Sequence, residues 1–172
     1  ENFVLVLDDI NTVGIDAIVV EDADGPVGTI TTKGASNKAD NFLDSPAGGA
    51  VSYSGTLTGS VWTVNVTTGI SKPTVGNTAL AKIYLNSVNV STGGAGILDI
   101  FLTDTDFLLA GQSNGLILNA AIGGTTNGTV QSEGYLDPAN AEFGMANGTG
   151  IVTGLPIAFS SVSSSNTGLM AA

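Results

Sequence analysis

The side chains of this chain that could do chemistry are nearly all carboxylates, and their spacing suits cation binding better than catalysis. Asp8, Asp9, Asp16, Glu21, Asp22 and Asp24 crowd the start of the chain. Asp40 and Asp44 flank Phe42, Asp99, Asp104 and Asp106 form a further group, and Glu133, Asp137 and Glu142 a looser late one. The run Glu21-Asp22-Ala23-Asp24-Gly25 has the alternating carboxylates and glycine that open a calcium loop. A twelve-residue EF-hand loop begun at Asp22 would close on a glutamate, and Lys33 stands there instead, so an EF-hand is excluded. A looser Ca²⁺ site on Asp22 and Asp24, completed by a loop carbonyl and a distant carboxylate, remains an expectation. Its bland counterpart is a solvated acidic turn. Asp104 and Asp106 lie either side of Thr105 and form a second candidate Ca²⁺ pair, unless Asp104 caps a turn through backbone N–H groups.

The absent residue types narrow the chemistry further. The sequence holds no histidine, no cysteine and no arginine. It therefore lacks the usual general base, the strongest side-chain nucleophile and the bidentate anion clamp. Ser-His-Asp and Cys-His catalysis, ordinary zinc sites and disulfides are excluded with them. Two carboxylates suffice for a glycosidase, but sugar clefts are lined with aromatics, and here there are one Trp, three Tyr and six Phe. The expectation is a protein that is not an enzyme and requires no cofactor, with calcium the one candidate. Carbohydrate binding without catalysis stays open, through an exposed Tyr53, Tyr84 or Tyr135. Fifteen acidic residues against Lys33, Lys38, Lys72 and Lys82 leave a net charge of −11. Nucleic acid and anionic lipid are poor partners for such a surface. Lys82 lies in a strong strand pattern and reads as a snorkelling strand lysine, with an isopeptide bond to a nearby Asn or Asp as the remote alternative.

The elements that must position these groups are strands. β-branched and aromatic residues alternate between Gly, Asn, Asp, Ser and Pro clusters, and helix signals are nearly absent. In Trp62–Thr67, Trp62, Val64 and Val66 face one way, and hydroxyl and amide groups face the other. Ile97–Thr103, apolar on both faces except for Asp99, reads as a central strand. Further strands are expected at 3–7, 15–21, 27–32, 51–57, 116–121, 128–131 and 151–161, one bent strand or two at 79–91, and a long loop over 32–46 with room for one helical turn near 39–43. Asp24-Gly25, Asn114-Gly115, Asn127-Gly128 and Asn147-Gly148 read as tight turns. About ten short strands with little helix predict an all-β fold, a β-sandwich or jelly roll, in a single domain over residues 1–172. No run reaches the ~20 apolar residues of a membrane helix, and a hydrophobic content of 42% argues against disorder. The chain opens on Glu1 rather than Met, which suggests processing or trimming.

Phe3-Val4-Leu5-Val6-Leu7 is apolar on both faces yet terminal. It reads as a first strand buried within the fold, or as a donor strand (residues 1–8) added to an open sheet edge of a neighbouring subunit.

The phrases Ser54-Gly-Thr-Leu-Thr-Gly-Ser-Val-Trp-Thr-Val-Asn-Val-Thr-Thr-Gly69, Ser71-Lys-Pro, Leu85-Asn-Ser-Val-Asn-Val-Ser and Leu102-Thr-Asp-Thr-Asp-Phe, followed by Ile122-Gly-Gly-Thr-Thr-Asn-Gly-Thr-Val and Tyr135-Leu-Asp, carry a resemblance. Over roughly residues 53–137 the chain resembles secreted proteins of Gram-negative bacteria that bear a PEP-CTERM, exosortase-type sorting tail. The sequence ends Met170-Ala-Ala without that tail, as expected if processing removed it, if this is a tail-less relative, or if the sequence is a portion of a longer chain. The resemblance implies export, an extracellular or cell-surface location and a polymer context, and brings no catalytic motif. The resulting expectation is a structural subunit of an extracellular filament or biofilm matrix. It would be a homopolymer built head to tail by N-terminal strand donation, with calcium bridging acidic loops. The alternative is a monomeric secreted carbohydrate-binding module, also open to calcium.

Overall fold

The computed structural model describes residues 3–11, 18–22, 49–107 and 116–169. The chain divides into two compact units, Glu1–Leu108 and Leu109–Ala172. The fold is all-β: twelve strands and no helix among the described residues. The strands of the first unit are β1 (Phe3–Asp9), β2 (Ile18–Asp22), β3 (Ala50–Thr56), β4 (Trp62–Ile70), β5 (Tyr84–Thr92) and β6 (Leu98–Thr103). They form two antiparallel sheets, ordered β2-β1-β6 and β3-β4-β5.

The alternation of β1 decides how these sheets share a core. Phe3, Leu5 and Leu7 point to one side, where they meet Ile18, Val51, Tyr53, Leu57 and Val64. Val90, Leu98, Ile100 and Leu102 pack around this cluster. Val4, on the opposite face of β1, is buried as well. A strand apolar on both faces is stable only where both faces are covered, and β1 accordingly takes the centre of its sheet. Leu5 pairs with Val20 on one side and Leu102 on the other. The segment expected to be a central strand, 97–103, is strand β6, which pairs with β1 and ends the order β2-β1-β6 among the described residues. Its side chains are half-buried throughout.

Strand β4 breaks the simple alternation. Val64 pairs with Val90 and Val66 with Asn89, so an extra residue, Asn65, bulges from β4. The bulge shifts the inward face by one residue. Thr67 and Gly69, not the hydroxyl-free set, then face the core: Thr67 is fully buried, and a Cβ on Gly69 would lie 2.6 Å from a Leu102 methyl. A second irregularity, at Ser87–Val88 of β5, restores the register; Ser87 sits at φ 52° there.

The second unit contains β7 (Leu116–Thr126), β8 (Val130–Ser132), β9 (Tyr135–Leu136), β10 (Asn147–Gly148), β11 (Val152–Gly154) and β12 (Ile157–Leu169). They pair as three two-stranded sheets, β12-β7, β11-β8 and β10-β9. The expected strand over 151–161 is thus two strands. Asn147-Gly148, expected to be a turn, is a strand pair with Leu136 and Tyr135; the Asn147 side-chain amide donates to the Leu136 carbonyl at 3.1 Å. Asn127-Gly128 does turn, between β7 and β8. The expected strand at 27–32, the loop over 32–46 and the turns at 24–25 and 114–115 lie outside the described residues.

Candidate functional site

Asp24 lies outside the described residues, and Asp22 is placed only as the end of β2, opposite Phe3. Asp104 follows the last residue of β6 and its side chain is fully buried. Its two oxygens lie 2.9 Å from the Lys72 Nζ, and Ser71 Oγ donates to one of them. Lys72, just past the end of β4, is 4% exposed, donates also to the Thr105 carbonyl and lies 4.1 Å from the centroid of the Phe107 ring. Asp104 is therefore occupied by a buried ammonium, and a buried pair of this kind is held by its hydrogen bonds as much as by Coulomb attraction. Asp106 is exposed in the left-handed region at φ 63°, with Thr105 Oγ1 3.4 Å from its carboxylate. The hydrogen bonds of Asp104 thus run to Lys72 and Ser71, and Asp106 has Thr105 Oγ1 beside it. Among the described residues, no three Asp, Glu, His or Cys side chains converge.

No sequence signal singled out Lys72, because its partner lies 32 residues away, at the end of another strand. Lys82 is expected from its surroundings to be a strand lysine. It lies before β5 and is exposed, so no buried amine is available there for an isopeptide bond.

The late acidic group ties loops together. Glu133 accepts from the Tyr135 hydroxyl at 2.7 Å and from the Gly150 N–H at 3.1 Å. The hydrogen bond to Glu133 pushes the Tyr135 phenol above its ordinary pKa. Asp137 caps a turn by accepting from the Ala139 N–H at 2.9 Å. Glu142 is exposed. Of the three tyrosines considered for sugar contact, Tyr53 is buried in the core. Tyr84 and Tyr135 are exposed.

The donor-strand residues Phe3, Val4, Leu5, Val6 and Leu7 are brought together, but inside their own chain. Both backbone edges of β1 are paired, to β2 and to β6.

What the first unit leaves open is the edge of β5. Among the described residues this nine-residue strand pairs only with β4. Tyr84, Leu85 and Val88 stand exposed along it, at 46%, 38% and 44%, and Leu80 and Ile83 continue the apolar row just before it. The strand Tyr-Leu-Asn-Ser-Val-Asn-Val-Ser-Thr carries no charge and no proline. Such an edge presents unpaired N–H and C=O groups as a template for another strand. The arrangement offers main-chain pairing and apolar contact as its functional groups.

These features define an all-β protein with an open, uncharged strand edge. Comparison with protein-family models, curated protein sequences and solved structures found no match.

Proposed function

We propose that this protein is a structural subunit of an extracellular filament or biofilm matrix, built head to tail from copies of itself. The observation that carries the reading is the uncharged β5 edge with its exposed apolar row, in a chain of net charge −11. Soluble proteins blunt exposed edges with lysine, proline or cover. Here the bulge at Ser87–Val88 is the one such device, and it lies within the edge without closing it. Donation of β1 is the competing route to the same polymer. Since β1 is seated in its own sheet, donation would be an exchange, with one copy's β1 leaving to fill the seat of the next. Calcium bridging of acidic loops would offset repulsion between copies. The proposal contains no catalytic step.

A second reading, carbohydrate binding by a monomer, draws on exposed Tyr84 with Asn86 on the same strand. Light scattering and negative-stain microscopy, each with and without a chelator, separate the two. Filaments support the subunit reading, and filaments that dissolve on chelation add the calcium bridge. A monodisperse monomer under every condition that also binds a glycan panel would replace the first reading with the second.

A further inference from the structure

We propose that Lys72 and Asp104 condense to an isopeptide bond that ties the two sheets of the first unit together. The proposal is independent of the assembly reading above.

The seat of the pair supplies the first argument. The Lys72 side chain is 4% exposed, and that of Asp104 is fully buried. Lys72 Nζ lies 2.9 Å from each carboxylate oxygen. A nitrogen so placed stands about 3–3.5 Å from the carbon between them, the separation of a near-attack pair. The Phe107 ring lies against the amine, its centroid 4.1 Å from Nζ. Dryness bears on the outcome, because water is both the product that must leave and the reagent that would reverse the step.

The neighbours of the pair supply the second argument. A buried amide needs one acceptor for its N–H and one donor for its oxygen. Both are in place, since Nζ donates to the Thr105 carbonyl and Ser71 Oγ donates to Asp104 Oδ2. The bond thus exchanges two buried charges for a neutral group that keeps hydrogen bonds already made. Burial penalises charge far more than it penalises a paired amide.

The step balances within the pair, and the ion pair is its reactant state. The ammonium passes one proton to Oδ1, and the lone pair freed on Nζ attacks Cγ. The Ser71 hydroxyl meets the charge that gathers on Oδ2. A second proton then moves from the nitrogen to Oδ1. The C–Oδ1 bond breaks with its electron pair going to oxygen, and water departs. One hydrogen stays on the nitrogen, Oδ2 becomes the amide oxygen, and no other reagent enters.

Lys72 follows β4, of the sheet β3-β4-β5, and Asp104 follows β6, of the sheet β2-β1-β6. A chain without cysteine would so gain a covalent link between its sheets that no reductant opens.

The full chain is incubated folded at neutral pH, then denatured and weighed by intact mass spectrometry. The expected mass lies below that of the sequence by one water in the parent, and at the sequence mass in Lys72→Met. A cyclised Glu1 or a succinimide at Asp24-Gly25 would lose the same water, so a peptic digest is read by tandem mass spectrometry. A branched fragment joining Lys72 to Asp104 supports the proposal. A parent at its full sequence mass overturns it, and so does a water loss that maps to Glu1 or Asp24. The parent's mass and digest decide the question even where the variant fails to fold.

Discussion

Lys72 and Asp104 show how a few side chains here hold distant segments together. The ammonium is fully used, by two carboxylate oxygens, the Thr105 carbonyl and the Phe107 ring. Removing one partner strands a buried charge, so Lys72→Met or Asp104→Asn should each cost about 3–5 kcal/mol of stability. The double change Lys72→Met with Asp104→Leu should recover most of that loss in urea denaturation. Tyr53 behaves oppositely, since its buried hydroxyl has no hydrogen-bond partner among the described residues. Tyr53→Phe should change stability by less than about 1 kcal/mol, or raise it. Gly55, at φ 152°, makes room for that hydroxyl, and an added Cβ would lie 2.6 Å from it. Gly55→Ala should therefore cost about 1–3 kcal/mol. Burial raises the Tyr53 pKa above its ordinary 10.0. The unfolded chain gives up that proton first, so stability from this group is intact below pH 10 and falls as the pH rises beyond it. Denaturation at pH 9 and pH 11 should show the alkaline loss in the parent and a smaller one in Tyr53→Phe.

At the scale of elements, β1 and β5 are opposites. β1 is paired on both edges and lies at the centre of the core. Deleting residues 1–8 should unfold the first unit, which circular dichroism and hydrogen exchange would register. A folded, soluble product that no longer polymerises would instead favour strand donation. β5 is exposed except at Val90, so Val88→Lys should leave the fold unchanged. It should raise the concentration needed for polymer about tenfold, equivalent to ~1.4 kcal/mol per contact, as read by sedimentation. Much of β1 was legible in the sequence, because five consecutive apolar residues demand cover on both faces. The pairing of β6 with β1 was not legible, because Ile97–Thr103 and Phe3–Leu7 lie ninety or more positions apart in the chain. Asn65 and Ser87 explain another miss: bulges reverse which side chains face inward, and period-two alternation cannot register a residue that drops out of the ladder.

The whole molecule is governed by its charge. Raising salt from 0.01 to 0.15 M shortens the screening length from ~30 to ~8 Å. If copies join through uncharged edges against a −11 background, light scattering should rise over that range. Calcium at matched ionic strength should raise it further if carboxylates are bridged, and equally if it only screens. The candidate calcium residues Asp104 and Asp106 stand in different surroundings. Asp104 and Asp106 are neighbours in sequence, but Lys72 takes the first and a left-handed backbone turns the second to solvent.

Composition and alternation determined by themselves that this protein is all-β, strongly acidic and without histidine, cysteine or arginine, since those properties are local or additive along the chain. Tertiary structure alone decided which strand is central, which edge stays open and which lysine is buried. Each of these depends on pairings between residues tens of positions apart, set by which apolar faces can be covered together. The absence of reactive side chains was visible at once. The open edge of β5, which offers main-chain groups in their place, emerged only when the strands were paired.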